Sequence, residues 1–139
     1  MSSLSAFLAD NALKVENVKV PVSERFQNGD GVPVPWELKA LSEAENELLR
    51  KSCTRIVKNK RMEMEKTDFA LYTGKLVVAC VVYPDLNDAA LQDSYGAMGA
   101  DTLVKKMLTA GEYAALLEKV QEINGYDKDM SELVDEAKN

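Results

Sequence analysis

Histidine is absent from these 139 residues, and its absence narrows the chemistry the chain could perform. Imidazole is the commonest general acid/base near neutral pH. The serines and the two cysteines, Cys53 and Cys80, therefore lack the usual activating partner for a nucleophile. Two cysteines without histidine also cannot assemble one of the common structural zinc sites. Both cysteines sit in apolar helical patterns and read as buried, reduced thiols. The acid pairs Asp85/Asp88 and Asp127/Asp129 raise the question of a cation site. "YDKDMSE" lacks the length and the glycine of an EF-hand loop, and helix capping is the simpler role for such acids. "YGAMGAD", Tyr95 to Asp101, has neither phosphate-loop spacing and follows a helical pattern, so it is expected to be a glycine hinge between helices. No catalytic, cofactor-binding or metal-ligating residue is assigned, and the chain is read as a non-enzyme.

Charge is the next candidate for chemistry. The net charge is −6 and the isoelectric point near 4.8, which disfavours nonspecific attraction to nucleic acid. The charges are segregated, however. Arg50, Lys51, Arg55, Lys58, Lys60, Arg61 and Lys66 are opposed locally only by Glu63 and Glu65, whereas residues 112–139 hold eight acids against Lys119, Lys128 and Lys138. A nucleic-acid site in the basic stretch would need interleaved aromatics, and none occurs between Trp36 and Phe69. A solvated face is the preferred reading. The longest apolar run, "LVVACVVY", is too short to span a bilayer, and the start "MSSLSAFLAD" lacks the basic and apolar regions of a secretory signal, so none is expected.

The elements that must position these residues follow from periodicity. Leu4, Phe7 and Leu8 predict a short helix from Ser3 to about Asp10. "VKVPVSERF" and "VPVPWELKAL" alternate on either side of the turn-rich "QNGDG", which predicts a β-hairpin over about residues 15–41. Val32, Val34, Trp36 and Leu38 share its apolar face. Pro33 and Pro35, of equal parity, deprive one edge of donors, which suits an exposed edge. Trp36 is either a partner anchor or, by preference, filler between hairpin and helix. Helices are expected from residue 42 onward. Ser42 with Glu45 forms a capping box opening a stripe from Leu41 to Val57, with Glu47 and Lys51 an i, i+4 pair. "NKRMEMEKT" reads as an exposed loop. Asp68 or Thr67 then caps "FALYTGKLVVACVVY", read as a central helix whose β-branched end allows a strand. Asn87 is expected to cap the next helix and Gly96 to end it. Leu103, Val104 and Met107 face inward, Thr109 with Glu112 makes a second capping box, and Gly125 is a C′ glycine. Met130, Leu133, Val134 and Ala137 define one thin apolar face of a last, acidic helix over residues 127–139. Two readings of it stay open: packing on its own domain, or detaching to dock in a partner groove. The fold class is α+β, an N-terminal β-hairpin on a mainly helical body, one domain through residue 126.

Taken together, "VPVPWELKALSEAENELLRKSC" and the more specific "VVYPDLNDAALQDSYGAMGADTLVKKMLTAGEYAALLEKVQEINGY" resemble the XkdN-like phage tail assembly chaperones of prophage tail operons, over roughly Leu4 to Tyr126. The charged stretch Asn59 to Thr67 and the final helix are not matched. The resemblance implies a non-enzymatic factor in the cytoplasm of the bacterial host, with no catalytic residues and no cofactor to carry over. It implies transient binding to the tape measure protein, with release as tail tube protein polymerises, and leaves homo-oligomerisation open. A structural tail component retained in the virion, or a small regulatory nucleic-acid-binding protein, are the alternatives. Trp36, Met130, Leu133, Val134 and Ala137 are the candidate partner-binding residues, and no membrane partner is expected.

Overall fold

A computed structural model describes residues 3–126 of the chain. The chain opens with a 3₁₀ helix, Ser3–Phe7, where a short amphipathic helix is expected. Strands β1 (Val18–Val20) and β2 (Trp36–Leu38) then pair antiparallel, with Val18 opposite Leu38 and Val20 opposite Trp36. Between them the predicted turn forms around Asn28. Its side-chain carbonyl accepts from the N–H groups of Asp30 (2.8 Å) and Val32 (3.1 Å), and Gly31 supplies the positive φ of 75°.

The edge expected at Pro33 and Pro35 is corrected. β2 is the central strand of a three-stranded sheet, flanked on its other side by β5 (Val81–Tyr83) in the order β1-β2-β5. Strand residues of equal parity point their backbone groups to one edge. The prolines thus share an edge with Glu37, which pairs with Tyr83, and with Lys39, whose N–H donates to the Cys80 carbonyl at 2.8 Å. Their missing donors end β5 pairing at that point. They do not mark a free edge along β2 itself.

Helix α1 (Glu43–Ser52) begins at Ser42 with the full capping box, Glu45 N–H to Ser42 Oγ and Ser42 N–H to Glu45 Oε1. Lys51 pairs with Glu47 at 3.1 Å. The expectation of helix from residue 42 onward fails after Ser52. Residues 54–67 are a second antiparallel hairpin, β3 (Thr54–Asn59) and β4 (Met62–Thr67), turning at Lys60 with φ 57°. "TRIV" is β-branched enough to leave the helix, and "MEME" alternates apolar with charged, so period two prevails where a helical stripe to Val57 and a loop are expected. The hairpin is closed at its base by the Asp68 N–H to the Cys53 carbonyl (2.8 Å) and by paired hydroxyls of Thr54 and Thr67 (2.7 Å).

Asp68 caps α2 (Phe69–Cys80), which passes straight into β5, so the apolar run is both helix and strand. Asp88, rather than Asn87, caps α3 (Ala89–Ser94). At Gly96 (φ 61°) the chain closes the paired N–H bonds of a Schellman turn, Gly96 to Asp93 and Ala97 to Gln92. Helix α4 (Ala100–Met107) follows from Gly99, and α5 (Ala110–Ile123) opens on the Thr109–Glu112 capping box and ends at Gly125, φ 82°. The core gathers Trp36 and Leu38 from the sheet with Leu76, Val77 and Cys80 of α2, Leu103, Val104 and Met107 of α4, and Leu116 and Val120 of α5. Each fully buried Leu or Val contributes roughly 1.5–3 kcal/mol. The fold is α+β, with the N-terminal strands laid on a helical body. The acidic helix expected over residues 127–139 lies outside the described residues.

Candidate partner-binding surface

The candidate surface begins at Trp36. It is 2% exposed and packs against Phe26 with ring centroids 6.1 Å apart and tilted by 45°. Arg25 lies 5.0 Å over the Phe26 ring and reaches across to the helices, where its guanidinium meets Glu112 Oε1 of α5 at 2.5 Å and donates to the Met107 carbonyl at the end of α4 at 2.8 Å. The Arg25 hydrogen bond, with help from Ser23 and the Thr109 N–H, holds the Glu112 carboxyl down at about 2. These residues border a shallow groove of 420 Å³ lined by Phe26, Val34, Pro35, Tyr83, Leu91 and Met107. Trp36 forms its floor, between sheet and helices, and Tyr83 is an exposed wall.

A second groove, of 510 Å³, opens between α1, α2 and α5. Phe69, Tyr72, Leu76, Leu117 and Tyr126 line it, with Glu43 and Arg50 at the rim. The Tyr72 hydroxyl donates to the Asn46 side-chain carbonyl, and burial first, then Tyr126, pushes its pKa up to about 12. Tyr72 is therefore a neutral donor at any physiological pH. Phe69 at the start of α2 stands 67% exposed beside it.

The β3–β4 hairpin carries most of the basic stretch into solvent. Ile56, Met62 and Met64 are exposed large apolar side chains on it. Antiparallel register puts Arg55, Val57 and Asn59 on one face with Lys66, Met64 and Met62, and puts Ile56 and Lys58 with Glu65 and Glu63 on the other. Only the second face is charge-compensated, through Lys58 and Glu63 at 3.7 Å. These hairpin residues, and Phe69 and Tyr72 at its root, are absent from the set of binding residues expected from sequence. The alternation in "MEMEKT" is the signal that could have found the hairpin. Of the expected set, the structure places Trp36 in the core, and Met130, Leu133, Val134 and Ala137 lie outside the described residues. Among the described residues no cluster of acids or cysteines could hold a metal ion. Asp85 and Asp88 serve local turns, accepting from the N–H groups of Asn87 and Leu91.

Three comparisons place this arrangement among known proteins. A family model described as "Phage XkdN-like tail assembly chaperone protein, TAC" matches residues 4–138. The chain is 31% identical to the phage-like element PBSX protein XkdN of Bacillus subtilis (strain 168) over 138 residues, 98% of this chain and 93% of that protein. It is 33% identical, over the same shares, to an uncharacterized protein, YqbN, of the same strain. The crystal structure of YqbN superposes with a TM-score of 0.78, covering 91% of this chain and 99% of that one at 30% identity.

Proposed function

The chain belongs to the phage XkdN-like tail assembly chaperone family, and from that premise we propose that it binds the tape measure protein transiently while tail tube protein polymerises around it. The reading places it in the cytoplasm of the bacterial host, acting by contact and not by catalysis. One observation carries it beyond the family assignment. Large apolar side chains, among them Phe7, Leu13, Ile56 and Phe69, stand more than half exposed on a body with a closed core. Phe69 lines one groove with Tyr72, Leu76 and Leu117, and apolar surface gathered in that way marks interaction sites. A long helical client needs such surface to cover its own apolar stripes, while the net charge of −6 keeps the complex dispersed. Release during assembly requires modest affinity at each site, repeated along the client.

Co-expression with the tape measure protein of its own tail operon tests the reading. The expected result is a severalfold rise in soluble tape measure protein and its co-purification with this chain. Unchanged solubility and no co-purification would sink it. Stoichiometric recovery of the chain in purified particles would instead favour a retained structural component.

A further inference from the structure

The two faces of the β3–β4 hairpin differ in a way that points to an occupant. On the face of Arg55, Val57, Met62, Met64 and Lys66, Arg55 sits directly opposite Lys66. Like charges across an antiparallel pair destabilise it. Among the described residues neither Arg55 nor Lys66 forms an ion pair, although Lys58 on the other face does. At the far end Lys60 and Arg61 make the turn. The face is thus an apolar strip of Val57, Met62 and Met64 with cations at both ends. A two-stranded hairpin is marginally stable in water unless one face is covered.

The chain itself holds a complementary segment. Residues 127–139 carry Asp127, Asp129, Glu132, Asp135 and Glu136 against Lys128 and Lys138, with Met130, Leu133, Val134 and Ala137 at helical spacing. As a helix the thirteen residues would run about 20 Å, which matches about 20 Å for a six-residue strand. The point of departure is also suitable. Tyr126 lines the 510 Å³ groove together with Arg50 and Phe69, which flank the hairpin in the chain. The Thr54 hydroxyl donates to the Arg50 carbonyl at 2.9 Å, and Phe69 follows Asp68, which closes the hairpin base.

We propose that residues 127–139 dock in cis on the cationic face of this hairpin, apolar stripe against Val57, Met62 and Met64, acids against Arg55, Lys66 and the turn. The inference does not depend on the identity of the client.

Two measurements on the full chain test it. With Met64→Cys and Leu133→Cys installed, mild oxidation should give an intrachain disulfide, seen by intact mass and non-reducing electrophoresis. Adding Arg55→Glu and Lys66→Glu should slow its formation about fivefold, the scale of a few exposed charge pairs, with circular dichroism confirming that the variant is folded. Absence of the disulfide, a disulfide only between chains, or a rate indifferent to the charge reversal overturns the proposal. The second measurement leaves the hairpin untouched. Leu133→Asp should speed amide exchange within residues 54–67 about fivefold by freeing a local opening unit, and unchanged exchange there also overturns it.

Discussion

At the residue scale, single polar side chains do the work of joining distant parts of the chain. Arg25 and Glu112 are 87 positions apart and meet at 2.5 Å, with the Glu112 carboxyl also completing the cap of α5. The carboxyl titrates at about 2 when folded against 4.5 ordinarily, because Arg25 stabilises its charge. A depressed folded pKa gives stability that is fully present above the ordinary value and is lost as pH falls toward the folded one. Glu112→Gln is therefore expected to unfold at lower temperature than the parent above pH 4.5, with the gap narrowing steadily between pH 4.5 and about 2. Thermal melts across that range check it. From sequence Glu112 is readable as the N3 residue of a capping box, since that role needs only Thr109 three positions earlier. Its second partner, Arg25, is not readable, because no local pattern links the two.

Among the elements, the β3–β4 hairpin stands apart. Its strands are exposed from Arg55 to Lys66 except at Val57, and its base is closed by the Cys53–Asp68 and Thr54–Thr67 bonds. A segment so tied should be separable from the core. Replacing residues 57–64 with Asn-Gly, which favours a two-residue turn, is expected to leave the melting temperature within about 3 °C of the parent. A cooperative loss of structure in that variant, seen by circular dichroism, would mean the hairpin braces the core instead. The other elements are marked by their ends. Ser42, Asp68 and Thr109 all cap as their neighbours demand, and Gly96 and Gly125 take the positive φ that ends a helix. Asp88 displaces Asn87 by one position because its carboxylate reaches the Leu91 N–H, while Asn87 is used in the Asp85 turn.

For the molecule as a whole, closure depends on Asn124 at the end of α5. Its side-chain carbonyl accepts from the Leu41 N–H at 2.8 Å, and its amide donates to the Val120 carbonyl (2.7 Å) and to Cys80 Sγ (3.4 Å). One side chain thereby holds α5 to the sheet–helix junction and to the end of α2. Asn124→Ala should cost about 1–3 kcal/mol, because it strands a part-buried N–H. Urea titration would show a lower midpoint with an unchanged slope. Among the described residues no helix is long and apolar enough to cross a membrane. The basic hairpin and the acidic C-terminal third keep opposite charges on different parts of one chain, which is the asymmetry the docking inference uses.

What the sequence determined by itself is what neighbours within a few positions can decide. The caps at Ser42, Asp68 and Thr109, the helix ends at Gly96 and Gly125, the inward face of α4 and the Asn28–Gly31 turn belong to that class, because caps, glycine conformations and amphipathic periods are short-range physics. Tertiary structure alone decided where a local signal met a competing partner across the fold. β5 left its helix because β2 offered a ladder, and Trp36 became a groove floor because sheet and helices close over it from both sides. The hairpin at 54–67 took period two over a helical stripe once its strands could pair with each other, since backbone hydrogen bonding across strands is a non-local gain that no single segment displays.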